Sequence, residues 1–386
     1  MSTEKKWDKD DMRIAMLGHK RMPSREGGVE VVVEELSTRM AALGYAVTVY
    51  NRRGHNVAGK EYDSSSYNQK HFTYHGVNVK SVPTINRKGL AAVSSSFFAC
   101  VKAAFGRYDV VHIHAEGPAF FAGIPHAFGK RIIVTIHGLD WQRSKWGGFA
   151  SKYIKSGEKH AVRYADEIIV LSKAVQDYFM ETYGRDTVLI PNGVVKPNIL
   201  SNNLIKDKYG LSKNSYILYL GRIVPEKGIH YLINAYKDID TNKKLVIAGG
   251  ASDTDEYMAK LHDLAKDDAR VIFTGFTQGQ ELEELYSNAY IYVLPSDLEG
   301  MPLSLLEAMS YGNCCLTSDI DECTSVIEDH GITFHKSDMD DLRSKLTNLL
   351  ENEAVVQKYK FNATDFICNK YNWDDVVKRT VELYKK

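Results

Sequence analysis

The sequence has no apolar run long enough to cross a bilayer. Its longest weakly polar stretch, Gly89–Phe105, is interrupted by three serines and Lys102. The opening MSTEKKWDKDDM is charged and lacks the apolar segment of a secretory signal. Cysteine is scarce: Cys100, Cys314, Cys315, Cys323 and Cys368 are scattered, odd in number and without a CxxC pair. The simplest expectation is a reduced, cytoplasmic protein without structural zinc. Neither low-complexity tracts nor repeats with a period of about 20–50 residues occur.

Net charge is also absent, with 49 bases against 49 acids. The balance is uneven along the chain. Residues 1–195 hold 27 Lys+Arg and 19 Asp+Glu, whereas residues 196–386 hold 22 and 30. A basic half suits a membrane surface or an anionic acceptor, and opposite charges equally suit association of the halves.

What is present is a β-rich run followed by a helical pattern, many times over. Arg13–Gly18, Ala46–Tyr50, Asp109–Ile113, Arg131–Ile136 and Glu167–Leu171 read as strands of a first sheet. Tyr216–Leu220, Lys244–Ala248, Arg270–Thr274, Tyr290–Leu294 and Cys314–Thr317 read as a second. Alternation of this kind predicts an α/β fold of two doubly wound parallel sheets. Ligands in such sheets bind beyond the carboxyl ends of the strands, so a shared cleft is expected. The division is expected at residues 1–195 and 196–368, with residues 369–386 as a closing helix. Pro191-Asn192-Gly193 and the polar stretch Lys196–Asn214 read as the hinge.

The chemistry-bearing motifs follow these strands. Gly221-Arg222 and Pro225-Glu226-Lys227-Gly228 come directly after Tyr216–Leu220. Arg222 and Lys227 can converge on one diphosphate, Arg as a fork and Lys as a point charge. A solvated loop with two bases is the plain alternative. Glu299-Gly300-Met301-Pro302-Leu303 leads into a helix that carries Glu307. Pro302 fits that helix's first turn, leaving amides around Met301–Ser304 for an anion. Glu307 lies in an apolar run, where a carboxylate needs a partner, either ribose hydroxyls or a core salt bridge.

Weaker signals lie in the first half. Gly27-Gly28 opens a helix and permits close approach of a phosphate. His137 ends a strand, where it can meet a sugar hydroxyl or move a proton. His112 and His114 share a strand face, and His114 and Glu116 read as acceptor-side contacts. A His-His metal site lacks further ligands. Asp253-Thr254-Asp255 reads as helix capping, and Asp319-Ile320-Asp321 has no favoured reading. Trp141–Arg163 holds six bases against one Glu, with aromatics interleaved. That suits an anionic lipid surface or lipid diphosphate, nucleic acid, or simply solvent. Gly89–Phe105 is a second candidate interfacial helix.

Taken together, GRIVPEKG (Gly221–Gly228) and EGMPLSLLEAM (Glu299–Met309) resemble the GR-x3-KG and E-x7-E elements of glycosyltransferase family 4. The early Gly-Gly, the strand-terminal His-Gly and Ile190–Val194 agree in order. The resemblance implies a GT-B fold and a retaining reaction without an obligate metal or other cofactor. By the same resemblance, Arg222 and Lys227 would neutralise the departing diphosphate, and Glu307 would bind ribose. Glu299 would lie at the transferred sugar. Gly27 and Gly28 would approach the diphosphate, His137 would contact the donor sugar, and the last helix would cross back onto the first domain. Gly221, Gly300, Met301, Pro302 and Leu303 would complete the donor site. Gly18–Leu36 and His137–Gly147 are similar to bacterial rhamnosyl- and glucosyl-type enzymes of capsule and cell-wall polysaccharide assembly. The donor expected is a nucleotide diphosphate sugar, dTDP-rhamnose or a UDP-sugar. The acceptor expected is a glycan or lipid-linked glycan at the cytoplasmic face of the membrane, with no nucleic acid. Met301-Pro302 departs from the Phe-Gly common at that place. Two rival readings are a nucleotide-sugar 2-epimerase on the same fold and a binding module built on the basic patch.

Overall fold

The computed structural model describes residues 12–56, 59–63, 66, 69–87, 89–142, 148–250 and 254–386. The opening charged segment, Lys88, residues 143–147 of the basic patch and Asp253 lie outside them. The chain forms two compact units, Met1–Asn192 with Trp373–Lys386, and Gly193–Asn372. The divisions thus fall at Gly193 and Trp373 rather than at 196 and 369.

The first unit is built on strands β1 (Arg13–Leu17), β2 (Ala46–Arg52), β3 (His71–Tyr74), β4 (Val77–Val82), β5 (Val110–His114), β6 (Arg131–Ile136), β7 (Glu167–Val170) and β8 (Val188–Leu189). Their order is β3-β4-β2-β1-β5-β6-β7-β8, parallel except where β3 folds back on β4. The interior strands β1, β5 and β6 are buried on both faces beyond their first residues, as helices on both sides require. The last helix, Trp373–Lys385, packs here: Tyr384 is fully buried and Arg131 Nε donates to the Leu383 carbonyl at 2.9 Å.

The second unit carries β9 (Tyr216–Leu220), β10 (Lys244–Ala248), β11 (Val271–Gly275), β12 (Ile291–Leu294), β13 (Cys314–Ser318) and β14 (Ile332–Phe334). Their order is β11-β10-β9-β12-β13-β14, all parallel. Each sheet reverses its direction of growth once, between β1 and β5 and between β9 and β12. Such a reversal parts the connecting loops and opens a crevice at the strand ends.

The sequence reading differs from the fold in two respects. Four strands, β3, β4, β8 and β14, were not expected; β3, β8 and β14 are two to four residues at a sheet margin and leave little periodicity to read. The presumed hinge Lys196–Asn214 is not a bare linker. It contains the helix Asn203–Tyr209, whose Ile205 is fully buried in the second unit's core.

Candidate active site

In the second unit, the loops after β9 and β12 meet at the point of reversal. Gly221 N donates to Ala248 O and Ile223 N to Gly250 O, both at 3.0 Å, tying the β9 exit to the β10 exit. Gly249 has φ +147°, and a Cβ there would run into the Gly221 carbonyl. The chain then makes one 3-10 turn, Pro225–Lys227, and enters the helix Ile229–Lys237 through Gly228 at φ +65°. A Cβ on Gly228 would overlap the Pro295 carbonyl, so glycine is needed both for its backbone and for contact with the β12 exit. Asp297 N donates to Glu226 O at 2.8 Å and closes the second link between the loops.

This packing joins two residues 72 positions apart: Lys227 Nζ lies 2.5 Å from Glu299 Oε1. Both side chains are largely buried, at 11% and 7% exposure. Ser296 Oγ donates to the same Glu299 oxygen at 2.6 Å. An ammonium has three donors, so Lys227 can hold Glu299 and still donate to an incoming anion. Arg222 is half-buried on the same loop, its carbonyl fixed by Tyr219 Oη at 2.8 Å.

The helix Leu303–Ser310 begins with Pro302 at its N-cap, one position earlier than expected. Its first internal bonds are those from Leu305 and Leu306 N to Pro302 O. The amides of Leu303 and Ser304 precede them and point out of the helix start, where an anion is favoured. Gly300 is buried and Met301 half-buried at this turn. Glu307 is half-buried rather than sunk in the core, and Tyr286 Oη donates to its Oε2 at 3.4 Å.

The first unit's polar residues are arranged differently. His112 is enclosed, with Nδ1 2.6 Å from Tyr384 Oη and Nε2 2.7 Å from Thr135 Oγ1. Burial lowers its pKa to about 3, and both nitrogens are engaged, which rules out the His-His metal site. His114 stacks on it at 4.2 Å, and its Nδ1 lies 3.1 Å from His137 Nε2. Its Nε2 is buried without a partner. A buried N–H lacking an acceptor costs more than a bare ring nitrogen, so the His114 proton belongs on Nδ1, donated to His137. His137 is half-buried and thereby uses its Nε2 as an acceptor.

His114 and Glu116 are fully buried, so neither is an acceptor contact. Glu116 Oε2 accepts from Asp140 N at 2.9 Å. Burial, together with the nearby Asp140 and Glu158 carboxyls, pushes its own carboxyl well above the usual range. Gly27 is the N-cap of the helix Gly28–Ala42, and a Cβ on it would lie 2.7 Å from Glu30 Oε2. That carboxylate, 4% exposed, accepts from Lys20 N at 2.8 Å. The helix start at Gly27-Gly28 therefore already holds an anion of the chain's own, and an approaching phosphate would meet it.

In the basic patch, Lys152, Lys155, Lys159 and Arg163 are exposed along one side of the helix Gly148–Tyr164, with Lys155 Nζ 4.3 Å above the Trp141 ring. Thr254 caps Asp255–Ala265 without a side-chain capping bond; its hydroxyl goes to Ile223 O at 2.6 Å. Asp319 accepts from His335 Nδ1 and from Lys336 N. No described helix is long and apolar enough to cross a membrane.

Comparison with known proteins agrees with this architecture. Residues 26–195 match the family model "Glycosyltransferase Family 4" and residues 201–366 match "Glycosyl transferases group 1". The chain is a GT4-like glycosyltransferase with the GT-B fold. An uncharacterised glycosyltransferase of Methanocaldococcus jannaschii is 27% identical over 97% of this chain and 98% of its own length. The sucrose-phosphate synthase of Thermosynechococcus elongatus superimposes with TM-score 0.81 at 20% identity, covering 97% of this chain and 98% of that one. The Anabaena protein HepE, crystallised with UDP-glucose, gives 0.76 at 17% identity, covering 96% and 98%.

Sequence reasoning missed three supports of this glycosyltransferase: Ser296, which fixes Glu299; Tyr286, which reaches Glu307; and Tyr292, whose hydroxyl donates to Leu220 O at 3.1 Å and accepts from Ser304 Oγ at 2.9 Å. Only Ser296 had a visible signal, as a hydroxyl just past a strand end. The tyrosines lie inside a helix and a strand and read as core.

Proposed function

We propose that the chain transfers a sugar, with retention, from a nucleotide diphosphate sugar to a glycan or lipid-linked acceptor in cell-surface polysaccharide assembly. The observation that carries the donor site is the Lys227–Glu299–Ser296 cluster, with Arg222 and Glu307 in the same unit at the same strand edge. Lys227, Arg222 and the Leu303 and Ser304 amides face a departing diphosphate, whose charge grows as the glycosidic bond breaks. Donors fixed beforehand around that charge lower the barrier. Glu307 binds ribose hydroxyls. Glu299, held by Lys227 and Ser296, supports the sugar as positive charge develops on it. His137 assists transfer at the donor sugar. Gly221, Gly300, Met301, Pro302 and Leu303 shape the backbone around the diphosphate and sugar. Gly27 and Gly28 give the first unit its close turn, with Glu30 behind it.

A UDP-sugar is favoured over dTDP-rhamnose because a structural neighbour carries UDP-glucose. The exposed bases of Gly148–Tyr164 suit peripheral contact with the cytoplasmic membrane face and its anionic lipids. The test is a thermal-shift screen of nucleoside diphosphate sugars, since a ligand of the native state raises the melting midpoint. One sugar nucleotide should shift it, and the anomer formed, read by NMR, should match the donor's. No shift with any donor overturns the donor site.

A further inference from the structure

Arg13, Lys80, Lys102 and Arg107 line one cavity of about 610 Å³ in the first unit, and no Asp or Glu lines it with them. Among the described residues none of the four side chains has a carboxylate partner. Asp109 accepts from the backbone amide of Arg13 at 2.9 Å instead. Elsewhere in this unit Arg131 pairs with Glu167 and Arg39 with Glu35. A space of this volume is about 10 Å across, no wider than the screening length at ordinary salt. The four cations therefore repel one another across it, and an anion relieves that repulsion.

The floor adds a neutral donor. Tyr50 Oη and Tyr108 Oη lie 2.9 Å apart. Their mutual bond uses one hydroxyl proton and leaves the other to donate. Burial and the Tyr108 hydroxyl push the Tyr50 ionisation up, so its hydroxyl keeps its proton near neutrality. The site is remote from the chemistry within its own unit. Arg13 begins β1 and Arg107 precedes β5, whereas His114 and the loop to His137 stand where those strands end.

We propose that this cavity binds a phosphate monoester, with the four bases neutralising it and the tyrosine pair donating a hydrogen bond. One rim is apolar: Phe105, 73% exposed, lies 4.7 Å from the ring of Phe128, 49% exposed. The phosphate can belong to a soluble phosphoester or to a lipid headgroup whose chain rests on that rim.

The test uses the full chain and two probes, inorganic phosphate followed by 31P line width, and phosphatidylcholine vesicles doped with phosphatidic acid. Phosphate affinity should fall roughly tenfold or more in K80A/R107A, the loss of one or more charge-assisted bonds. The same fall should appear when K80A/R107A is introduced into a K227A background, which separates this cavity from the donor site. K102A alone should shift affinity in the same direction, which guards against misfolding of the double variant. Vesicle binding lost in K80A/R107A identifies a lipid source; phosphate binding without vesicle binding identifies a soluble one. Absence of phosphate binding, or phosphate affinity unchanged by K80A/R107A in the wild-type and K227A backgrounds, overturns the proposal.

Discussion

The two units place polar residues at the same position in similar sheets and treat them in opposite ways. Beyond β9 and β12, Lys227 and Glu299 keep opposite charges in contact between two loops held together at Gly228. Beyond β5 and β6, His112, His114 and Glu116 are fully buried, and burial drives each toward its neutral form. A charged pair with donors to spare suits electrostatic stabilisation of a leaving group. A neutral buried array suits the positioning of one half-buried group, here His137.

The largest expected break in this contrast is K227A. Losing one fixed donor to a developing negative charge should cost about 100- to 1000-fold in kcat. The variant also leaves Glu299 without its cation, which should cost about 3 kcal/mol of stability. Rates should therefore be compared well below both melting midpoints.

Next is E307A. If its carboxylate holds ribose, donor KM should rise about tenfold to a hundredfold, the worth of hydrogen bonds to a charged group. Wild-type KM would remove Glu307 from the donor site. Y286F should be milder, about two- to tenfold in donor KM, because the hydroxyl, shared with Ser304 O at 3.2 Å, bonds Glu307 at only 3.4 Å and the carboxylate remains.

The smallest effect sharpens the first unit's side. Glu116 has a raised folded-state pKa, so its folded form keeps a proton that the unfolded chain gives up. Its contribution is intact below the unfolded pKa and is lost as pH rises toward the folded one. The wild-type melting midpoint should therefore decline from acid toward neutral pH more steeply than that of E116Q. Parallel pH profiles would mean that Glu116 is ionised in the fold.

The same contrast explains what could be read from the sequence. The β9 and β12 loops were legible because each is a short local motif after a strand. Arg222 and Lys227 share one turn, and Glu299 and Glu307 flank one helix start. The first unit's array was not legible because its members are joined only by folding: His112 meets Tyr384 from the last helix, and Tyr178 and Tyr183 reach Glu158 from the next helix along. A histidine followed two residues later by another reads as exposed chemistry, but complete burial of β5 makes it core. The β1–β2 framework, β6, β9 and β10 were plain from apolar runs, whereas the β3–β4 hairpin depends on a His75-Gly76 turn with both φ values positive.

The central claim is that the second unit's Lys227 grips a nucleotide diphosphate while the first unit's buried array does not. Calorimetric titration of UDP into wild type, K227A and E116Q tests it most directly. The account predicts a loss of affinity of roughly tenfold or more in K227A, the worth of a charge-assisted contact, and none in E116Q. Equal UDP affinity in wild type and K227A would contradict it.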